Sequence, residues 1–458
     1  MKKNIAFEII NYLAFILAIS FGIYLANGQV LFGDNPEEVL SLTSTLIYFG
    51  VCLAGFIPLL IINLIRKKYR PNYVILGLFT LLIITLVISL LTFPDHVIYS
   101  YNGIKNNPCS FIYYIPTELR ATFIIQAIAF ALTGFILIDF PYQLFKLKPF
   151  LTILSSLTII AVLSFQILSF IKEGGQYVEF FSMSLFKIKE NFAIKSVFVN
   201  SNIFAFILTL GLIAVIFIHY LYKKWWILLF ALPIYINIIF TVCRSLIILN
   251  FVLLLIYLAM AIARKLAHIR RIKTICMLMV IFILFMVIGG LRIALINSTN
   301  HSDFVAFLFD NGSLGFLATR NYMWKISSIC INYGNWGLGV GYNLFGEILF
   351  RMNASDLESK YVAVRGSHNF ALEYIGNGGI ITLLIVLAIL FMIIYLAIKS
   401  FKKNKTLMAL SLTLITLFSI YSLIESGSFI IPKSYEFVAL NLFIISPILM
   451  TYKNKEAN

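Results

Sequence analysis

Apolar runs long enough to cross a lipid bilayer recur from one end of this chain to the other, and that feature decides what it can fold into. A helix needs about 20 consecutive apolar residues to span the hydrocarbon layer. Such runs occupy residues 6–26, 39–65, 73–93, 119–141, 149–171, 203–222, 225–243, 245–263, 274–295, 378–398, 407–427 and 434–452. Charged residues make up 12% of the chain and hydrophobic ones 61%, whereas a soluble domain carries roughly a quarter charged residues. No soluble core absorbs that much apolar surface, so the expected fold class is all-α: a polytopic membrane helix bundle of about 12 transmembrane helices. The first run is too long for a secretory signal and ends at Ala26 without a convincing cleavage site, which reads as a retained helix.

The net charge of +16 would suit nucleic acid if the basic residues formed one patch. They do not. Counting connections alternately, Lys2–Lys3, Arg66–Arg70, Lys146–Lys148, Lys223–Lys224, Arg264–Lys273, Lys399–Lys405 and Lys453–Lys455 hold 21 of the 35 lysines and arginines. Lys and Arg in short loops favour the cytoplasmic side, against an anionic leaflet. The expectation is therefore no nucleic acid, both termini cytoplasmic, and the remaining connections outward. One outward segment dominates, residues 297–376, with a helix-like stretch at 317–331; smaller ones cover about 94–118 and 172–200. The runs on either side of Cys243-Arg244-Ser245 are nearly continuous, and their fusion would invert everything downstream.

The cysteines, Cys52, Cys109, Cys243, Cys276 and Cys330, show no CxxC spacing, so they encode neither a zinc site nor a thioredoxin-like motif. Cys109 and Cys330 both fall in outward segments, where a disulfide is open to them if geometry permits.

Chemistry has room on the outward side. Arg244 stands at a helix junction, where an ionised guanidinium is costly unless paired or given a ligand; the alternative is an anchor snorkelling at a helix end. Arg320, followed by Asn321, Tyr322 and Trp324, opens an amphipathic stretch; taken singly it reads first as a surface charge on an interfacial helix. Arg365-Gly366-Ser367-His368-Asn369 precedes the tenth run, with Glu373 shortly after; Asn369 is also a favoured helix cap. Gly337-Leu338-Gly339-Val340-Gly341-Tyr342 lets the backbone turn tightly or approach a ligand closely, but without a preceding strand and following helix it is no nucleotide loop. Together, arginine forks matched to phosphate oxygens and a histidine suited to base work near neutrality fit a lipid-linked diphosphate donor at an outer membrane surface.

These pieces, in this order, resemble the O-antigen ligase and polymerase superfamily, bacterial enzymes that transfer undecaprenyl-diphosphate-linked glycans outside the cytoplasmic membrane. The matching residues are Thr241-Val242-Cys243-Arg244, Arg320-Asn321-Tyr322-Met323-Trp324, Trp336-Gly337-Leu338-Gly339-Val340-Gly341 and Ser367-His368-Asn369. After them come Glu373 and Gly376-Asn377-Gly378-Gly379-Ile380, which resemble the family's approach to its next helix. Phe198-Val199-Asn200-Ser201-Asn202-Ile203-Phe204-Ala205 is similar to the family's asparagine-rich start of a central span. Where the family commonly has serine before the first arginine, this chain has Cys243. The resemblance covers residues 198–400 and divides the chain into N-terminal helices (1–197), the ligase/polymerase-like region with its outward loop, and C-terminal helices (401–458).

The resemblance implies a GT-C-like bundle with a large periplasmic or extracellular loop. In it, Arg244 and Arg320 hold the donor diphosphate and His368 is the candidate base. Arg365 would assist at the second phosphate or the glycan, and Glu373 would orient His368 or pair with an arginine. Tyr322 and Trp324, with Trp336 and Tyr342, would stack on sugars or anchor at the membrane interface. The implied chemistry is metal-independent inverting glycosyl transfer without a cofactor. Its expected partners are an undecaprenyl-diphosphate-linked glycan, membrane lipid and a chain-length regulator protein. A polysaccharide polymerase of O-antigen or capsule biosynthesis is the leading expectation, a ligase onto lipid A core or another acceptor the sibling one. A lipid-linked oligosaccharide flippase is the reading from another class, though flippases gather their polar residues near the midplane in two related halves.

Overall fold

The computed structural model describes residues 2–28, 39–66, 71–102, 108–182, 193–198, 200–241, 243–265, 316–355, 366–423, 425 and 430–453. Among them, ten helices are long and apolar enough to cross a membrane, and the chain is a multi-pass membrane helix bundle. The apolar run at 274–295 lies outside the described residues. The run at 225–243 departs from expectation, forming a 3-10 helix over Trp225–Phe230 and an α-helix over Ala231–Phe240. Pro233 supplies a reason: it has no N–H to donate to the carbonyl four residues back, and its ring crowds that carbonyl. The next helix begins only at Arg244, so the two adjoining runs do not fuse.

In chain order the elements are α1 (Lys2–Asn27), α2 (Leu42–Ile65), α3 (Tyr73–Thr92), β1 (His96–Asn102), β2 (Pro108–Tyr114), α4 (Thr117–Asp139), α5 (Pro141–Leu144), α6 (Leu147–Ser182), α7 (Ser201–Tyr222), α8 (Ala231–Phe240), α9 (Arg244–Lys265), α10 (Phe316–Tyr333), α11 (Leu344–Ser355), α12 (Phe370–Ser400), α13 (Lys405–Ser422) and α14 (Tyr435–Lys453). They form two compact units, cutting across the three regions read from the sequence. One unit comprises Met1–Phe145, Arg320–Lys403 and Phe418–Asn458, the other Lys146–Thr319 and Asn404–Leu417.

In the first unit α4 is central. Helices α1, α2, α3 and α14 pack on it, and most of its residues from Gln126 to Asp139 are buried, as expected of a helix apolar on all sides. The two ends of the unit differ in charge. At one, Arg66 lies over the Phe7 ring and Lys453 over the Tyr142 ring, while Lys403 donates to the carbonyls of Thr451 and Tyr452. At the other, Arg120 closes the end of α3 by donating to the carbonyls of Leu90 and Phe93 and pairs with Asp95.

A β-hairpin, which a purely helical reading omits, fills the segment before α4. Strands β1 and β2 are antiparallel, with Val97 opposite Tyr113 and Tyr99 opposite Phe111. Alternating β-branched and aromatic residues favour that pairing: Val97, Tyr99 and Tyr113 are buried, Ile98, Ile112 and Tyr114 exposed. The Tyr333 hydroxyl at the end of α10 accepts from the Ser100 N–H and donates to the Ser100 carbonyl. Cys109 and Cys330 are not joined to each other, so the disulfide considered above is not formed. Burial pushes the Cys330 thiol well above its ordinary range, which keeps it protonated.

The second unit is built on α7, against which α6, α8 and α9 pack. Asn250 on α9 donates to Thr209 on α7 at 2.7 Å, and the Tyr257 hydroxyl meets His219 Nδ1 at 2.6 Å. Helix α6 kinks at Glu173, whose carboxylate accepts from Ser169 and from the N–H groups of Lys195 and Ser196. Arg244, half-buried, opens α9 at the end of the unit where the Ile194 N–H donates to the Phe240 carbonyl. The opposite end carries Lys148 over the Tyr222 ring.

Candidate functional site

Two glycine-rich segments meet at the less basic end of the first unit. Helix α12 starts at Phe370, earlier than the apolar run alone suggests, and is interrupted at Gly378 (φ −165°, ψ 23°) and Gly379 (φ 75°, ψ −178°). Only glycine adopts the second conformation readily. An interruption frees backbone groups that must find partners, and the loop after α10 provides them. The N–H groups of Val340 and Gly341 donate to the Gly376 carbonyl at 2.8 and 3.3 Å, and Ile380 N–H donates to the Trp336 carbonyl at 2.8 Å. A Cβ on Gly379 would collide with the Gly337 carbonyl, and one on Gly339 with that of Ile375. The Gly337–Gly341 run therefore serves the close approach of loop to helix.

From this junction a polar network extends. Asn343 is left-handed (φ 57°); its amide donates to Gln126 Oε1 at 2.8 Å and to the Ala26 carbonyl at 3.2 Å, and its N–H donates to Asn377 Oδ1. Tyr342 donates to the same Ala26 carbonyl. Lys433, in the connection before α14, donates to Asn343 Oδ1 at 3.3 Å, lies 4.6 Å from the Tyr342 ring centroid and 3.5 Å from Glu373 Oε1. The other Glu373 oxygen accepts from the N–H and hydroxyl of Ser367 at 3.1 and 3.2 Å.

His368 stands beside this network, also left-handed (φ 50°), a conformation uncommon outside glycine and asparagine-like residues. Bonds from His368 and from the residue after it hold this turn. The His368 carbonyl accepts from Trp324 Nε1 at 3.4 Å; the following Asn369 caps α12 by accepting from Leu372 N–H and donates to the Leu423 carbonyl. Its Nδ1 lies 3.3 Å from Glu425 Oε2, with 21% of the imidazole and 11% of the carboxylate side chain exposed.

His368, Glu373, Tyr322 and Trp324 thus belong to one unit, with His368 in contact with Trp324. Arg320 stands one turn before Trp324 on α10; its side chain lies outside the described residues, as does all of Arg365. Arg244 belongs to the other unit. Glu373 does not orient His368: the left-handed turn sends the ring toward Glu425, while Glu373 reaches back to Ser367 and Lys433. Sequence reasoning passes over Glu425 and Lys433. The signal for Glu425 was present, since an acid inside a supposed span at 407–427 is costly unless it has a role, and α13 ends before it, at Ser422.

No protein-family model matches the chain, and no curated protein matches it significantly. The site offers a carboxylate-held imidazole at one end of a helix bundle, in contact with a helix that carries an arginine.

Burial pushes the Lys433 ammonium below its ordinary range, and Glu373 offsets part of that. A lysine bound less tightly to its proton in the fold than in the unfolded chain makes stability rise with pH below about 10.4, as the folded form gives up the proton first. Lys433→Met should lower stability at neutral pH by about 3 kcal/mol, because Glu373 stays enclosed without its cation. In thermal melts in detergent, adding Glu373→Gln should recover part of that loss. Equal, additive losses would show that the two side chains do not interact.

Proposed function

We propose that this chain is a glycan polymerase of a bacterial cytoplasmic membrane, moving a polysaccharide from undecaprenyl diphosphate onto the next lipid-linked repeat unit. The observation that carries this reading is the His368–Glu425 pair. A carboxylate at Nδ1 favours the tautomer that leaves Nε2 as acceptor, free to take a proton from a hydroxyl.

In the proposed step Nε2 of His368 removes the proton from an acceptor sugar hydroxyl. The oxygen forms a bond to the anomeric carbon as the bond from that carbon to the diphosphate oxygen breaks, with inversion. The diphosphate leaves with the electron pair, and arginine takes up its charge, Arg320 and, on the family resemblance alone, Arg244; preorganised cations of this kind lower such barriers by several kcal/mol. The step balances without a metal. Charge supports an outward site: His368 lies at the end of its unit away from Arg66, Lys403 and Lys453, and such basic ends face the cytoplasm.

The test is chain extension by the purified protein on synthetic undecaprenyl-diphosphate repeat units, with EDTA present. Long products are expected, and none from Arg320→Ala or Arg244→Ala variants that insert normally. Activity stopped by EDTA and restored by magnesium would overturn the metal-free mechanism. Normal product length in either arginine variant would remove that residue from the site.

A further inference from the structure

The end of the second unit away from Arg244 holds a cavity of about 270 Å³ where α7, α9 and α13 come together. Its walls are polar and aromatic: Lys223, Thr406, Tyr220 and the rings of His219, Trp225 and Tyr257 line it. The chain around the cavity fixes these groups. Lys223 is left-handed (φ 55°) and closes α7, its N–H donating to the His219 carbonyl at 2.7 Å. The His219 ring is held by the Tyr257 hydroxyl, and the Trp225 ring lies 5.0 Å from it between centroids. Tyr220 donates to Asn404 Oδ1 at 2.9 Å, and the same oxygen caps α13 by accepting from the Leu407 N–H. Thr406 thus stands in the first turn of an 18-residue helix, where the early N–H groups have no acceptor within the helix and the end carries partial positive charge.

Charge and position select the ligand. Lys148, Lys223, Lys224 and Lys405 gather at this end, and an end of that sign faces the anionic leaflet. Trp226 and Leu229, just after Trp225, are 60% and 71% exposed, as expected at the level where tryptophan rings meet headgroups. A cation, a hydroxyl and the start of a helix together suit phosphate oxygens, and basic pockets between membrane helices on this side take anionic headgroups. We infer that the cavity binds the phosphate ester of an anionic phospholipid, Lys223 and Thr406 meeting the phosphate and the rings of His219, Trp225 and Tyr257 packing on the glycerol beside it. The volume falls short of the roughly 300–1,000 Å³ of a pocket for a whole drug-sized ligand, so only the headgroup enters and the acyl chains stay in the leaflet. A lipid so placed ties the start of α13 to α7 and α9, adding to the Tyr220–Asn404 bond. Nothing in this assignment depends on glycan transfer.

The experiment titrates full-length, delipidated protein in detergent with dioleoylphosphatidylglycerol and follows binding by native mass spectrometry. Lys223→Gln should weaken the first binding step about tenfold, worth roughly 1.4 kcal/mol. Lys224→Gln removes the same charge one residue away, outside the cavity lining, and should leave that step nearly unchanged. Ala261→Trp, which fills the cavity from α9, should match Lys223→Gln. Equal losses from the two lysine variants would show attraction to surface charge alone and overturn the site, as would equally tight binding of zwitterionic phosphatidylcholine. Glycerol phosphate separates the two sources of a phosphate ester: if it displaced the lipid at equal concentration, the cavity would belong to a soluble ligand and the lipid assignment would fall. A map on the wild-type protein needs no variant to fold. Phosphatidylglycerol with a diazirine on its headgroup should, after irradiation, label residues 219–225, 257–261 and 405–407; labelling that missed all three segments would overturn the site by itself.

Discussion

His368→Ala is expected to insert and fold like the parent and to extend glycan chains about 10²–10⁴ times more slowly, the usual loss when a general base is removed. Trp324 contacts the carbonyl of residue 368, and the Asn369 cap belongs to the next residue, so the ring can be removed without dismantling the start of α12. Glu425→Gln separates positioning from bulk structure. Glutamine fills the same space but no longer fixes the ring tautomer that leaves Nε2 as acceptor, so kcat for chain extension should fall while KM for the acceptor holds. A Glu425 that only held the connection between α13 and α14 in place would reduce the amount of folded protein and leave kcat per folded molecule unchanged. Full-length product from His368→Ala would sink the base assignment.

Which parts of this architecture are legible in the sequence follows from how each is determined. Apolar runs such as 73–93 and 203–222 became helices of nearly the same extent, because in lipid the only economical way to satisfy a backbone is within the helix itself. Helix α10 was legible for a related reason: Leu317, Tyr322, Trp324 and Ile326 already carried helical spacing. The break at 225–243 was not, since Pro233 acts on local hydrogen bonding that an average over apolar residues does not see. The hairpin around Tyr99 and Tyr113 was short and flanked by spans, so its alternation was drowned by the helical pattern on either side.

The site divides along the same line. Asn369 as a cap was legible because capping is local. His368 and Trp324 were legible as candidates, while their contact, from the middle of α10 to the turn before α12, was not. The partnership of His368 with Glu425, and of Glu373 with Lys433, joins residues far apart in the chain. Nothing in spacing encodes it. The glycines of 337–341 and 376–379 were visible as two separate clusters, while their mutual purpose appears only once the chain has folded back on itself.

That purpose makes Gly379→Val the substitution with the largest expected effect on stability. Valine at φ 75° carries the strain of a β-branched residue in a conformation reserved for glycine, of order 1–3 kcal/mol. Its Cβ would also meet the Gly337 carbonyl and the backbone around Leu338, groups that cannot rotate aside as a side-chain tip would. Relief requires the loop to move off α12, which releases the hydrogen bonds from Val340, Gly341 and Ile380 and leaves helix carbonyls and amides without partners at about 1–3 kcal/mol each. The sum exceeds the 4–5 kcal/mol that marks exceptional single substitutions, so little folded protein should be recovered after detergent extraction. Gly77→Ala on α3 is the matched control. Nothing lies within 4 Å of the Cβ it would add, and alanine is the better helix former by about 1 kcal/mol, so its melting temperature should hold or rise. A Gly379→Val protein that melted with the control would mean that the loop does not grip the interrupted helix. The Asn343 anchor that positions Lys433 and Glu373 beside His368 would then lose its physical basis.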